Sequence, residues 1–289
     1  MNVLLITRFT LLEAIRRRLF LAVIILSILI LTAFTILLTI VVNTALSNQN
    51  NGTDPRYLLL GGGIIVTVLV IWMLYLLSSM LTIVFSANMI SGEIDAGTFA
   101  VIVPKPLTRM EIVAGKWLGY ALVICIYTAL MFLAFIGVIY WKTGYWPTGA
   151  FNALGMLELA MLVLLGITTL GSSVVPTVVN GAIALMLFIG APTANIVQFV
   201  VQYVNPTNLS TTQNIATVIN LVIPTDALWH GASYYLLPSV ADLLTLQIGS
   251  INTPFTSGQP IAPALIVWAA LYCIALPALA ALRFQHRDL

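Results

Sequence analysis

Charge is scarce in this sequence, and so are the side chains on which most catalytic sites depend. Of 289 residues only 7% are Asp, Glu, Lys or Arg, whereas an ordinary soluble domain has about a quarter. The two cysteines, Cys125 and Cys273, lie inside apolar runs, and no Cys/His spacing suits a disulfide framework or a zinc site. A P-loop, a His-Glu-x-x-His motif and a Gly-x-Ser-x-Gly motif are also missing. The sequence therefore argues against a soluble protein, metal chemistry, nucleophilic catalysis and ATP binding through a P-loop.

Long apolar runs fill most of the chain, of which 61% is hydrophobic. A helix needs about 20 apolar residues to cross a bilayer. We therefore predict an all-α polytopic membrane protein with one transmembrane domain over residues 1–289. Six segments are long enough to span, namely residues 19–42, 58–87, 117–141, 151–171, 178–204 and 262–282. Residues 1–18 mix apolar and basic side chains, which suits a helix at the membrane surface.

The distribution of Lys and Arg predicts the orientation of these spans. With the N-terminus in the cytoplasm, nine of the eleven basic residues lie inside, and only Arg56 and Lys142 lie outside. Both termini are then cytoplasmic, and residues 205–261, which contain no Lys or Arg, are extracytoplasmic. Because topology explains the positive charge, we expect no nucleic-acid partner.

The extracytoplasmic segment 205–261 is apolar enough to form short helices that pack on or dip into the outer half of the membrane. Asp226 is a candidate cap for a helix that begins near Ala227, with Thr225 as the alternative.

Residues 88–116 form a charged island between the second and third spans. Pro104 and Pro106 prevent a continuous helix there. Thr108 and Glu111 have the spacing of a capping box, which predicts a short helix over residues 109–115. Such a short helix on the inner face is suited to docking a soluble partner, and an ordinary solvated loop is the alternative.

The island carries a specific resemblance. Glu93-x-x-x-Gly97-Thr98, Pro106-x-x-Arg109 and Gly115-Lys116 are similar, in order, spacing and position, to the signature of ABC-2-type transporter permeases. The resemblance extends over essentially the whole chain, but only the island is specific at the level of a motif. It implies a type V exporter-like permease fold, with residues 1–18 as the connecting helix and residues 88–116 as the cytoplasmic coupling region.

The resemblance also implies partners. ATP and Mg²⁺ would bind two copies of a separate ATPase subunit, a second permease chain of the same or another kind would complete the transporter, and this chain would bind no cofactor itself. The expected setting is a bacterial plasma membrane, with lipid around the spans. The expected ATPase-coupling surface consists of Glu93, Gly97, Thr98, Pro106, Thr108, Arg109, Glu111, Gly115 and Lys116.

A substrate path is harder to read from the sequence. Glu158 is the one ionisable candidate inside a span, and the aromatic residues Trp72, Tyr75 and Tyr127 could line a route for an amphipathic cargo. The alternative is that all four are ordinary packing or interfacial side chains. Two other functions stay open at this stage, a stand-alone secondary transporter or channel that depends on Glu158, and a structural subunit of a larger membrane complex.

Overall fold

The computed structural model describes residues 2–47, 55–92, 108–204, 209–237 and 256–285, and within these ranges it contains helices and no strand. The helices are α1 (Asn2–Arg16), α2 (Arg18–Ser47), α3 (Pro55–Ala87), α4 (Arg109–Thr143), α5 (Ala150–Val174), α6 (Thr177–Val204), α7 (Leu209–Val222), α8 (Thr225–Leu236) and α9 (Pro263–Gln285). The predicted all-α fold is confirmed.

Six of these helices are long and apolar enough to cross a membrane. The qualifying segments are Arg18–Thr44, Gly63–Ala87, Met110–Thr143, Ala150–Val174, Thr177–Val201 and Pro263–Phe284. They correspond one by one to the six predicted spans. The chain is therefore an all-α, multi-pass membrane protein.

The prediction that residues 109–115 form a separate short helix was wrong. Helix α4 begins at Arg109 and continues without a break to Thr143. Gly115 does not loosen this helix, because its missing side chain makes room for a neighbouring helix instead. The capping box therefore starts a long helix whose first turns precede the predicted span.

Helices α3, α4 and α5 form the centre of the bundle. In their most apolar windows 56%, 44% and 56% of the residues are buried, against 17% to 22% in α2, α6 and α9. Helix α5 packs against α3, α4, α6, α8 and α9, and helix α4 packs against α1, α2, α3, α5 and α9, so these two helices hold the others together. The outer helices keep large apolar surfaces exposed, which a membrane or another membrane chain would cover.

The bundle has two ends, which we call the N-terminal face and the opposite face. The N-terminal face holds α1, the end of α3 and the start of α4, and the opposite face holds the α4–α5 connection and the end of α8. On the N-terminal face α1 exposes Leu4, Leu5 and Phe9, with exposed fractions of 74%, 57% and 64%. An exposed apolar side suits the predicted helix at the membrane surface.

Helix α8 enters the bundle from the opposite face. Its last turn is held there, where the Tyr145 hydroxyl donates to the Leu236 carbonyl at 2.7 Å. Its middle lies deep, because the Trp229 ring stacks on Tyr75 with 5.4 Å between centroids. Gly63 of α3 lies at this face beside Thr143, the last residue of α4. Tyr75 is twelve residues further along α3, which is about 18 Å from Gly63 along the helix. The segment expected to dip into the membrane thus contains a helix that reaches well into the bundle.

The predicted cap of this helix was wrong. Helix α8 begins at Thr225, Pro224 occupies the capping position, and no side chain bonds to the free N–H groups. The Asp226 carboxylate is instead engaged by Asn195 of α6 and approached by His230. The Asp226 carboxylate therefore contacts side chains that the fold brings near it, and it does not cap the start of its own helix as the local pattern predicted.

Candidate functional site at the N-terminal face

The start of α4 carries the predicted capping box. The Thr108 hydroxyl accepts from the Glu111 N–H at 3.3 Å, and the Glu111 carboxylate accepts from the Thr108 N–H at 3.0 Å. Two N–H groups that the helix cannot satisfy are thereby bonded. Thr108 and Met110 are exposed, so the start of this helix forms an ordered surface within the charged island 88–116.

Helix α1 is pressed against the first turns of α4 through two glycines. A Cβ atom on Gly115 would lie 2.8 Å from the Ile6 side chain, and one on Gly119 would lie 2.7 Å from Thr10. The Thr7 hydroxyl also donates to the Gly115 carbonyl at 3.1 Å. Only glycine permits this approach. Gly119 escaped the sequence analysis, although its four-residue spacing from Gly115 is a known signal of close helix contact.

Lys116 braces the end of α3. Its side chain is 8% exposed, and its ammonium group donates to the Met89 carbonyl at 3.1 Å. Carbonyl groups just beyond a helix end lack helical partners and carry partial negative charge, so a buried lysine is favourable there. Gly115 and Lys116 therefore hold α1 and the end of α3 against α4, next to the predicted coupling surface. Their role in coupling stays a prediction.

Arg17 links the junction between α1 and α2 to the same place. Its guanidinium donates to the Glu13 carboxylate at 2.6 Å and to the Asn88 side-chain oxygen at 3.2 Å. The planar guanidinium can hold two acceptors in fixed directions. Arg17, one of the nine basic residues expected on the cytoplasmic side, thus also ties α1 to the end of α3.

Helix α6 holds the end of α3 from the other side. Asn180, which is 2% exposed, donates from its amide nitrogen to the Ala87 carbonyl at 3.1 Å and the Thr168 carbonyl at 2.9 Å. The side chain lies directly over Gly171, where no Cβ atom would fit. In addition, the Ser91 and Thr177 hydroxyl oxygens are 2.8 Å apart. Asn180 carries no recognisable signal in the sequence, because its partners come close to it only in the folded bundle.

These contacts form one cluster, which we call the α3-end anchor. It consists of Arg17, Ala87–Gly92, Lys116, Thr177 and Asn180. Through it, the last carbonyl of α3 and three of the five residues that follow, Asn88, Met89 and Ser91, are bonded to the α1–α2 junction, α4 and α6. Residues 93–107 begin immediately after the anchor and end at the capping box.

Part of the predicted coupling surface lies outside the described residues. Glu93, Gly97, Thr98 and Pro106 belong to residues 93–107, and the side chain of Arg109 is likewise not described. Thr108, Glu111, Gly115 and Lys116 are described and lie together in the first turns of α4. The structure thus describes both flanks of the predicted surface.

The residues predicted for a substrate path lie in different interhelical contacts. Tyr75 is buried against Phe188 and Trp229, whereas the Tyr127 hydroxyl lies 2.6 Å from that of Ser27 on α2. Trp72 and Glu158 are half-buried on α3 and α5. Within the described residues, the Glu158 carboxylate has no hydrogen bond or ion pair. A shared path through these four side chains stays a prediction.

Comparison with known proteins identifies the family of the chain. The family model described as ABC-2 family transporter protein matches residues 6–289, which include all six apolar helices and the whole charged island 88–116. A search of curated proteins found no match. The family consists of membrane permeases of ABC transporters, which associate with an ABC ATPase subunit. The chain therefore belongs to the ABC-2 family of transporter proteins.

Proposed function

We propose that this chain is the permease of an ATP-driven exporter and that a separate ATPase subunit docks on residues 88–116 at the N-terminal face. The observation that carries the proposal is the α3-end anchor, taken together with the family match. A loop that transmits motion needs rigid attachments at both ends. Here one end is fixed by the anchor and the other by the capping box of α4.

The proposed mechanism is a population shift between two arrangements of the spans. ATP binding would close the ATPase dimer, move the coupling region, and thereby shift α3 and α4 at the same time. Because the anchor bonds α3 to the α1–α2 junction and to α6, a displacement at the loop reaches α2 and α6 as well. These helices are the ones least buried within the single chain.

The exposed surfaces of α2 and α6 favour a two-chain transporter. Apolar side chains such as Ile25, Leu29 and Val197 are at least half exposed in the isolated chain. A second permease chain, identical or related, would cover part of this surface, and the cargo route would lie between the two chains. In this proposal the N-terminal face is cytoplasmic and the membrane is the plasma membrane of a bacterium.

The test is purification of the tagged chain from its native cells in a mild detergent, with identification of co-eluting proteins and measurement of ATP hydrolysis. We expect a stoichiometric P-loop protein that is lost on Arg109→Glu. Lys142→Glu is the matched control, since it reverses the same charge at the end of α4 on the opposite face. Loss of the partner in both variants, or a chain that elutes without an ATP-binding protein, would contradict the proposal.

A further inference from the structure

A cavity of about 380 Å³ opens at the opposite face, far from the coupling region. It lies between the last turns of α6, the end of α7, the first half of α8 and the segment that leads into α9. This volume falls in the range of small-molecule sites, about 300–1,000 Å³. The described polar side chains that line it are Asn195, Gln198, Asn220, His230, Ser257 and Gln259.

The lining has an unusual composition for a chain this apolar. Among the described residues it combines four carboxamides, one hydroxyl and one imidazole, and none of the described lining residues is Asp, Glu, Lys or Arg. Carboxamides and hydroxyls can both donate and accept hydrogen bonds, as the hydroxyl groups of a polyol do. An anion would require cationic donors, and a divalent cation would require several carboxylate ligands. Neutral, hydroxyl-rich ligands therefore match the lining best.

A buried carboxylate behind the lining fixes two of these side chains. Asp226 is 2% exposed, and it accepts a hydrogen bond from the amide nitrogen of Asn195. The Nδ1 atom of His230 lies 2.9 Å from the Asp226 carbonyl and 3.3 Å from its carboxylate. Since a carbonyl can only accept, Nδ1 carries a proton, and in the neutral ring Nε2 is an acceptor. Asp226 thus orients groups that line the cavity.

One acceptor among the lining residues has no donor in the part of the chain that the structure describes. The Oδ1 atom of Asn220 is buried and has no hydrogen-bond partner among the described residues. An unsatisfied buried oxygen is costly, and native structures contain few of them. Because Asn220 lines the cavity, a rotation of its amide would bring this oxygen to a ligand hydroxyl, which would supply the missing donor. The Phe199 ring, Pro260 and Ile261 add apolar surface for the carbon skeleton of such a ligand.

We propose that this cavity binds a neutral polyhydroxylated group, with the dimensions of a sugar ring, through Asn195, Asn220 and His230. The proposal stands on the cavity and its side chains, and it does not depend on an ATPase subunit. The same chemistry could be presented by a free sugar or by the headgroup of a neutral glycolipid. The experiment below separates these two sources.

The full chain is purified in a detergent without a sugar headgroup and placed in phosphatidylcholine nanodiscs. Methyl glucoside binding is followed by saturation-transfer NMR, and monoglucosyl diacylglycerol binding by native mass spectrometry, with diacylglycerol of the same chains as the lipid control. We expect at least one of the two glucosides to bind, and inorganic phosphate not to compete. Binding of methyl glucoside indicates a free sugar site, and binding of the glycolipid alone indicates a headgroup site.

Two substitutions locate the site. Asn220→Leu is expected to weaken binding about tenfold, because it removes the acceptor, whereas Asn214→Leu, at an exposed position on the same helix, leaves binding unchanged. Gln198→Leu on α6 provides a second loss-of-binding variant if Asn220→Leu does not fold. The proposal is overturned if neither glucoside binds, if diacylglycerol binds as well as its glucoside, or if Asn214→Leu and Asn220→Leu weaken binding equally.

Discussion

Selected polar side chains at the two faces of the bundle differ in their partners. At the N-terminal face, the amide of Asn180 and the ammonium of Lys116 donate to backbone carbonyls of the same chain. At the opposite face, polar side chains converge on a cavity, and the buried oxygen of Asn220 has no partner among the described residues. Polar groups that bond to each other within the chain hold helices together, whereas polar groups without partners are available to a ligand. This difference underlies our two proposals, which are force transmission at the first face and ligand binding at the second.

The largest expected effect is on the joint between α1 and α4. Gly119→Leu would force α1 away, because even a Cβ atom at this position would lie 2.7 Å from Thr10. We expect a loss of about 3 kcal/mol in stability, measured as a lower thermal midpoint in detergent. Gly137→Leu on the same helix is the control, since nothing lies within 4 Å of its added Cβ. Equal losses in the two variants would refute the tight α1–α4 contact.

A smaller effect is expected at the α3-end anchor. Asn180→Leu removes two donors and leaves the Ala87 and Thr168 carbonyls without them, which costs about 2 kcal/mol. Asn152→Leu, at an exposed position on α5, should change the midpoint little. If Asn180→Leu is as stable as the wild type, the anchor does not hold the end of α3.

The capping box gives a further, smaller loss. Thr108→Ala removes the hydroxyl that bonds the Glu111 N–H, and caps of this kind contribute about 1 kcal/mol. Helix content by circular dichroism should be almost unchanged while the thermal midpoint falls. Thr32→Ala serves as the control, because its hydroxyl bonds only within α2. A midpoint that does not respond to Thr108→Ala, or responds equally to both, would contradict the capping role.

The smallest expected effect says most about the difference between the two faces. Asn220→Leu is the same chemical change as Asn180→Leu, but it removes an acceptor without a donor, so we expect a stability change near zero. The pair is measured side by side by thermal unfolding without added ligand. Equal destabilisation by the two substitutions would mean that the faces do not differ in the way described.

The spans and the capping box were predictable because both are local signals. Apolar length alone reveals a membrane helix, and Thr108 and Glu111 are neighbours in sequence before they are partners in space. The Gly115–Gly119 spacing was also readable, although a glycine in a charged island is easily interpreted as a break.

The polar contacts between distant helices could not be predicted. Asn180 meets Ala87 across 93 residues of sequence, and Asp226 meets Asn195 across 31. Asp226 therefore looked like a helix cap, and Lys116 looked like a surface charge although it is buried. In an apolar bundle such residues gain their roles from packing, which single-sequence patterns do not contain.

The most direct test of the account is hydrogen exchange of the purified permease–ATPase complex with and without a non-hydrolysable ATP analogue. We expect the analogue to change exchange both at the start of α4 (residues 109–119) and at the start of α6 (residues 177–184). In Asn180→Leu the change at α4 should persist and the change at α6 should be lost. A change confined to α4 in the wild type, or one at α6 that survives Asn180→Leu, would contradict transmission through the α3-end anchor.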